Sequence, residues 1–241
     1  MGLRDLFSGS GRAKSRVDKL IKAAINKYTQ SAERYSAMED LLKDGSDEAL
    51  VGFMRRFTVV SSKSIEDEEE KGWAYRQLSA LGDKSLPAVK QFCLEHDSIA
   101  WALRIIEDVA DEKQEWEILD VLLAQHPPGY ERDPSKKIQL LTHVAEIEDD
   151  AVPKILAGYL ADPDEGVRFF AAEQLINFED ESTKEALVAR LLDDNEDSLR
   201  LRNKITEGIA KLGWDVSEWS TALAGQVGEE HTLQKGHIVP R

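Results

Sequence analysis

The chain has 241 residues, 41% hydrophobic and 32% charged, which is enough for one large domain or a short repeat array under a heavily solvated surface. Asp and Glu outnumber Lys and Arg 46 to 31, a formal charge of −15; this weighs against a nucleic-acid partner, because phosphate backbones are bound mainly through Lys and Arg. The single cysteine, Cys93, excludes an internal disulfide and a thiolate metal cage and fits a reducing compartment.

The charge is uneven along the chain. Residues 1–30 hold Arg4, Arg12, Lys14, Arg16, Lys19, Lys22 and Lys27 against Asp5 and Asp18, a net of +5, so the other 211 residues carry −20. Val17, Leu20, Ile21, Ala24, Ile25 and Tyr28 recur at helical spacing and form one apolar stripe on this basic segment. Two readings stand. The helix is either a cap whose stripe covers the first repeat, or a peripheral anchor in which residues 1–28 lie on anionic lipid and Leu3, Leu6 and Phe7 add an apolar plug. The opening residues lack the apolar stretch of a secretory signal, and Leu6 breaks the myristoylation pattern. No apolar run approaches the ~20 residues that cross a bilayer, so the expected location is cytoplasmic.

From residue 31 to 225 the pattern is helical throughout, in segments of roughly 10–16 residues split by short turns of Asp, Gly, Ser and Pro. No strand pattern stands out anywhere. The interval 58–64 reads either as an extended link or as the last turn of a helix. Glu66-Asp67-Glu68-Glu69-Glu70 opens a helix, where negative charge suits the dipole, and is expected to be solvated. A skeleton then repeats: Ala, an aliphatic residue four later, and Asp after a further five. It occurs at Ala74…Leu78…Asp83, Ala102…Ile106…Asp111 and Ala171…Leu175…Asp180, while Leu140…Val144…Asp149 and Ile205…Ile209…Trp214 are degenerate copies. The first four copies are each followed by a second helix, expected over 84–95, 113–125, 149–161 and 181–192. Pro87 and Pro153 sit near the start of two of these, where a missing N–H is tolerated. Pro127-Pro128-Gly129-Tyr130 interrupts the period as an insertion. Residues 226–241 have little periodicity and are expected to form a flexible tail.

The stretch Ala151-Val152-Pro153-Lys154-Ile155-Leu156, Leu160-Ala161-Asp162-Pro163-Asp164-Glu165-Gly166-Val167-Arg168 and Ala171-Ala172 resembles a HEAT repeat, and Leu192-Asp193-Asp194…Leu201-Arg202 is similar. The resemblance is specific over 149–213 and weaker toward the N-terminus. It implies an all-α fold, a right-handed α-α superhelix (an α-solenoid) of about five HEAT-like helix pairs over 31–225 with residues 1–30 as N-terminal capping helix. It further implies a non-enzymatic scaffold that binds a protein or peptide along a concave row of inner helices.

In that register the row 71, 99, 137, 168 and 202 reads Lys, Ile, Lys, Arg, Arg, and the row 73, 101, 139, 170 and 204 reads Trp, Trp, Gln, Phe, Lys. A third row, at 76, 104, 142, 173 and 207, runs Arg, Arg, Thr, Glu, Glu. The candidate partner-binding residues are therefore Trp73, Arg76, Trp101, Arg104, Lys137, Arg168 and Arg202, suited to an acidic segment. A structural alternative makes the aromatic residues core and pairs the cations with turn acids such as Asp162, Asp164, Asp194 and Asp197, tying repeats together. No catalytic, metal or cofactor residues stand out. The histidines are scattered without metal-ligand spacing, Cys93 lies on the apolar stripe of a helix, and no phosphate-cradling Gly-rich loop occurs. Some HEAT-like solenoids resemble bilin lyases or DNA glycosylases, and a lyase remains the enzymatic alternative.

Overall fold

The computed structural model describes residues 9–61 and 63–241, with side chains from residue 14 onward. Arg4, Arg12 and the apolar Leu3, Leu6 and Phe7 lie outside the described side chains. The chain falls into two compact units that divide between Leu122 and Leu123.

The first unit contains α1 (Gly9–Ala24), α2 (Ser31–Asp44), α3 (Asp47–Met54), α4 (Ser64–Ser79), α5 (Leu86–Glu95), α6 (Ala100–Val109) and most of α7 (Glu112–Gln125). Val17, Ile21 and Ala24 are buried, and α1 packs on α2 and α3. Three members of the stripe are thus covered by α2 and α3, while Tyr28 at its end and Lys14, Arg16, Lys19 and Lys22 stay exposed. A Cβ on Gly52 would stand 2.4 Å from the Ile21 side chain, so α1 and α3 approach at a distance only glycine permits. Between Arg55 and Thr58 the chain makes a 3-10 turn and then runs extended at Val59, so of the interval 58–64 Thr58 ends that turn, Ser64 opens α4, and the described residues between them lie outside any helix.

The second unit holds α8 (Ser135–Val144), α9 (Val152–Gly158), α10 (Glu165–Phe178), α11 (Lys184–Leu191), α12 (Leu199–Leu212) and the short α13 (Ser220–Leu223). The repeated turn chemistry shows in the caps. Asp164 accepts from the Val167 amide at the start of α10, and Ser198 accepts from the Leu201 amide at the start of α12. Each satisfies one of the amides that a helix start leaves open. Pro87 and Pro153 occupy the first turns of α5 and α9, as their missing donors allow. Val167, Ala171, Ala172, Leu175, Leu201, Ile205 and Ile209 are buried, and α10 packs on α12 so closely that a Cβ on Gly208 would meet Ile176 at 2.5 Å.

The expected flexible tail is instead a β-hairpin. Strands β1 (His231–Gln234) and β2 (His237–Pro240) pair antiparallel, Gln234 opposite His237. Lys235 and Gly236 form the two-residue turn, both at positive φ (52° and 84°), the twist that suits a tight hairpin. Ile238 and Val227 are buried and β2 packs on α12, which supplies the apolar support that an isolated hairpin lacks. The strands are four residues long, too short for an alternation to stand out from the sequence.

Candidate interaction surface

The row of cations is the natural starting point, because a Lys or Arg on an inner helix either meets a partner or is neutralised within the fold. In the first unit Lys71 Nζ lies 2.7 Å from Asp67 Oδ2, one helical turn back. Arg56 bridges Asp67 at 2.6 Å and Glu70 at 2.8 Å. Arg34 reaches both oxygens of Glu70 and donates a further bond to the Thr29 carbonyl. All five charged side chains are buried, Arg56 to 1% exposure. Burial alone would raise the two carboxyls, but the hydrogen bonds from Lys71 and Arg56 to Asp67, and from Arg34 and Arg56 to Glu70, outweigh it and hold both below the ordinary carboxylate range. This corrects the expectation of a solvated acidic helix start. Two of its five acids are the counter-charges of a buried network joining α2, the 3-10 turn and α4.

In the second unit Lys137 is fully enclosed, with Asp162 Oδ2 at 2.7 Å, Glu131 at 3.2 Å and the Gly129 carbonyl at 2.8 Å. Arg168 makes two parallel bonds to Glu196, at 2.8 and 3.0 Å, and holds the carbonyls of Asp162 and Pro163. Arg202 closes the Leu191, Asp193 and Glu196 carbonyls with its guanidinium. Lys137 and Arg168 are thus internal, and their expected role as surface contacts for a partner is corrected: a buried cation is stable only against an internal acid or carbonyl. Asp162 is one of the turn acids that the ladder reading names. Glu196, the chief acid of Arg168 and an ion-pair partner of Arg190 at 3.1 Å, is not. Burial would raise Glu196, and the Arg168 hydrogen bonds overcome it to leave the carboxyl below its ordinary value. At the remaining row position, Ile99, the side chain joins the core.

The other candidates lie on α4 and α6 of the first unit. Trp73 is half-buried, its ring 5.0 Å from Tyr35 edge-on and 5.9 Å from Phe53. Trp101, also half-buried, stacks on Phe57 at 5.8 Å and meets Tyr75 at 5.9 Å. Each tryptophan has one side in the core and another at the surface, so the core and surface readings both hold in part. Arg104 is exposed, and its guanidinium lies 4.9 Å from the Trp101 ring and 5.0 Å from the Tyr75 ring. The Tyr75 hydroxyl donates to Asp108, whose carboxylate also accepts from Ser79 Oγ; the bond to Asp108, then burial, raises the phenol. Arg76, one helical turn beyond Trp73, is exposed as well. Tyr75 is the member of this group that the repeat register does not single out, although its place beside Arg76 on a helix with Trp73 is a usable signal.

A parallel surface in the second unit falls one residue off the expected row. Phe169, rather than Phe170, receives the cations, with Arg200 at 4.0 Å and Lys204 at 5.9 Å from its ring. Arg200 pairs with Glu165 and Lys204 with Glu173, each at 2.7 Å, linking α10 to α12.

Residues 129–203 match the family model for HEAT repeats. This part of the chain is built of HEAT repeats. The match spans α8 to the first turn of α12 and so covers the helix–turn–helix units whose Asp-Pro turn and Val-Arg opening carry the resemblance. HEAT repeats generally serve as protein-interaction scaffolds. Comparison with curated proteins and with solved structures returned no match.

Proposed function

We propose that this chain is a non-enzymatic HEAT-repeat adaptor of the cytoplasm that binds an acidic segment of a protein partner along α4 and α6, through Trp73, Arg76, Trp101 and Arg104. The observation that carries this reading is the contrast in burial within the candidate set. Lys137 and Arg168 are enclosed by acids, whereas Arg76 and Arg104 remain exposed, Arg104 against the half-buried Trp101 and Tyr75 rings and Arg76 one helical turn from Trp73. A guanidinium resting on aromatic faces is held in place and keeps its planar donor edge for carboxylates. Aromatic residues flanked by arginine are also the composition of interface hot spots. A binding rather than catalytic role is supported by the state of the buried acids: Asp67, Glu70 and Glu196 are held ionised by structural cations rather than poised to exchange protons.

The test starts from peptides selected from a random displayed library against the wild-type protein. Their affinities are then measured for an Arg76→Glu/Arg104→Glu variant. Selected peptides should be rich in Asp and Glu and should bind the variant about tenfold or more weakly, with helicity unchanged. Peptides without acidic enrichment, or equal affinities for both proteins, would reject this surface.

A further inference from the structure

The turn between α8 and α9 and the turn between α10 and α11 border a groove of about 680 Å³ that has no part in the binding surface proposed above. Ile147, Pro153 and Phe178 give it an apolar lining, with five acids around them and one cation, Lys154. Two of the acids are used by their own turns: Asp149 accepts from the Ala151 amide at 2.7 Å, and Asp180 from the Ser182 amide and hydroxyl at 2.9 and 2.8 Å. The other three, Glu146, Glu148 and Asp150, are exposed, and among the described residues no cation pairs with them. An apolar groove rimmed by free carboxylates suits an apolar side chain flanked by Lys or Arg.

The first unit presents that combination. Asp18 is the only acid between residues 9 and 32, a segment that holds Lys19, Lys22 and Lys27 among its cations. With the stripe buried on α2 and α3, these three lysines are exposed, and among the described residues none is paired with an acid. The segment ends in a turn held from both sides. Asn26 Oδ1 accepts from the Tyr28 amide at 3.0 Å, the Asn26 carbonyl accepts from Thr29 Oγ1 at 3.0 Å, and the buried Arg34 donates to the Thr29 carbonyl at 2.6 Å. Tyr28 projects from this turn at 87% exposure, with Lys27 Nζ 5.3 Å from its ring. Ile65 and Leu199 are exposed as well, but they stand beside Lys63 and Arg200, which are already paired with Glu66 and Glu165. We propose that the Lys27–Tyr28 turn of one molecule docks in the acidic groove of a second copy, the Tyr28 ring meeting Ile147, Pro153 and Phe178 while Lys22 and Lys27 face Glu146, Glu148 and Asp150. A second copy supplies both the ring and the cations that the groove lacks. The groove falls within the range of about 300–1,000 Å³ that holds small ligands, so it has room for one tyrosine ring. Turn and groove are different surfaces, so the contact is heterologous and every molecule carries both halves. The net charge of −15 opposes association at a distance. In about 0.1 M salt, however, repulsion across more than ~10 Å is screened while charges in contact still attract. A contact this small has an affinity in the micromolar range.

Sedimentation velocity of the full chain at about 100 μM in about 0.1 M salt should show species larger than the monomer. Tyr28→Ala should weaken the association about tenfold without changing helicity, because the side chain it removes is exposed. Lys22→Glu/Lys27→Glu reverses the charge of the turn and Glu148→Lys/Asp150→Lys that of the groove, all at exposed positions. Each of these variants should be monomeric alone, and an equimolar mixture of the two should associate again, because each supplies the charge that the other lacks. Arg76→Glu/Arg104→Glu should associate as the wild type does, which keeps this contact distinct from the one proposed on α4 and α6. The proposal is overturned by a monomeric wild type, by a Tyr28→Ala variant that associates as well as wild type, by a charge-reversed variant that associates alone, or by a mixture that stays monomeric. Loss of association in Arg76→Glu/Arg104→Glu would also overturn it, by moving the contact to α4 and α6.

Discussion

In the first unit three cations, Arg34, Arg56 and Lys71, converge on two acids of a single helix, Asp67 and Glu70. In the second unit Lys137 and Arg168 reach acids on turns, Asp162 and Glu196, that lie 25 and 28 residues further along the chain. Lys71, Lys137 and Arg168, which the register read from the sequence puts in one row, are all buried, but their counter-charges come from different places. Shared row position accompanies burial at these three residues. It does not set the partner, because any acid that reaches the same point in space satisfies the same cation. The first arrangement shares each acid between two cations and depends heavily on Glu70. Backbone carbonyls back both arrangements, those of Thr29 and Val59 in the first and of Gly129, Asp162 and Pro163 in the second. The arginines of the second are less deeply buried, Arg168 at 9% and Arg190 at 12% against 5% and 1% for Arg34 and Arg56, so it loses less when its shared acid is removed.

That difference can be broken first at Glu70. Glu70→Ala would leave Arg34 and Arg56 buried and short of their shared acid, and truncating one side of a buried pair costs about 3–5 kcal/mol. Urea denaturation followed by tryptophan fluorescence should show a loss of that size, and a loss under about 1 kcal/mol would mean that the network is not tightly coupled. Glu196→Ala should cost less, about 2–3 kcal/mol, because Arg168 and Arg190 are less deeply buried than Arg34 and Arg56 and Arg168 keeps two carbonyls where Arg34 keeps one. If the same denaturation experiment placed Glu196→Ala above Glu70→Ala, this ranking of the two networks would be wrong.

Acid sharpens the same comparison with a smaller effect. Asp67, Glu70 and Glu196 all have native values below their ordinary ones. A carboxyl depressed in the native state stabilises the fold fully above its unfolded value, about 4, and that contribution is lost as pH falls through the native value. Stability should therefore be nearly flat from about pH 7 to about pH 5 as far as these groups are concerned and decline below about pH 4. The decline should be steeper in the first unit, where two such carboxyls share one network. Amide hydrogen exchange read on peptides from α4 and α10 at descending pH would separate the units. Earlier loss of protection in α10 would contradict the assignment.

The residues that show why some features are legible are the caps and the row cations. Asp164 and Ser198 before Val-Arg and Leu-Arg are local signals, since a cap acts within three residues of itself, and the second helices fall close to their expected places for the same reason. For Lys137 and Arg168 the repeat register poses the choice between groove and ladder, but spacing does not decide it. Lys and Arg obey no burial rule of their own and go inside only where an acid or carbonyl meets them. The acidic run at 66–70 is misleading because helix-start chemistry explains all five acids equally well, although the fold buries Asp67 and Glu70 alone among them.

By itself, then, the sequence determined a helical protein with a repeated turn, an amphipathic basic N-terminal helix and an aromatic pair beside two arginines, because helix periodicity and capping are short-range physics. Tertiary structure decided which charges are struts and which face solvent, that Gly129 is anchored with Pro127, Pro128 and Tyr130 left outside, and that residues 231–240 form a hairpin on α12. The Arg34–Glu70, Lys137–Asp162 and Arg168–Glu196 pairs join residues more than about twenty apart in the chain, and the hairpin rests on an apolar surface that exists only once the helices have packed.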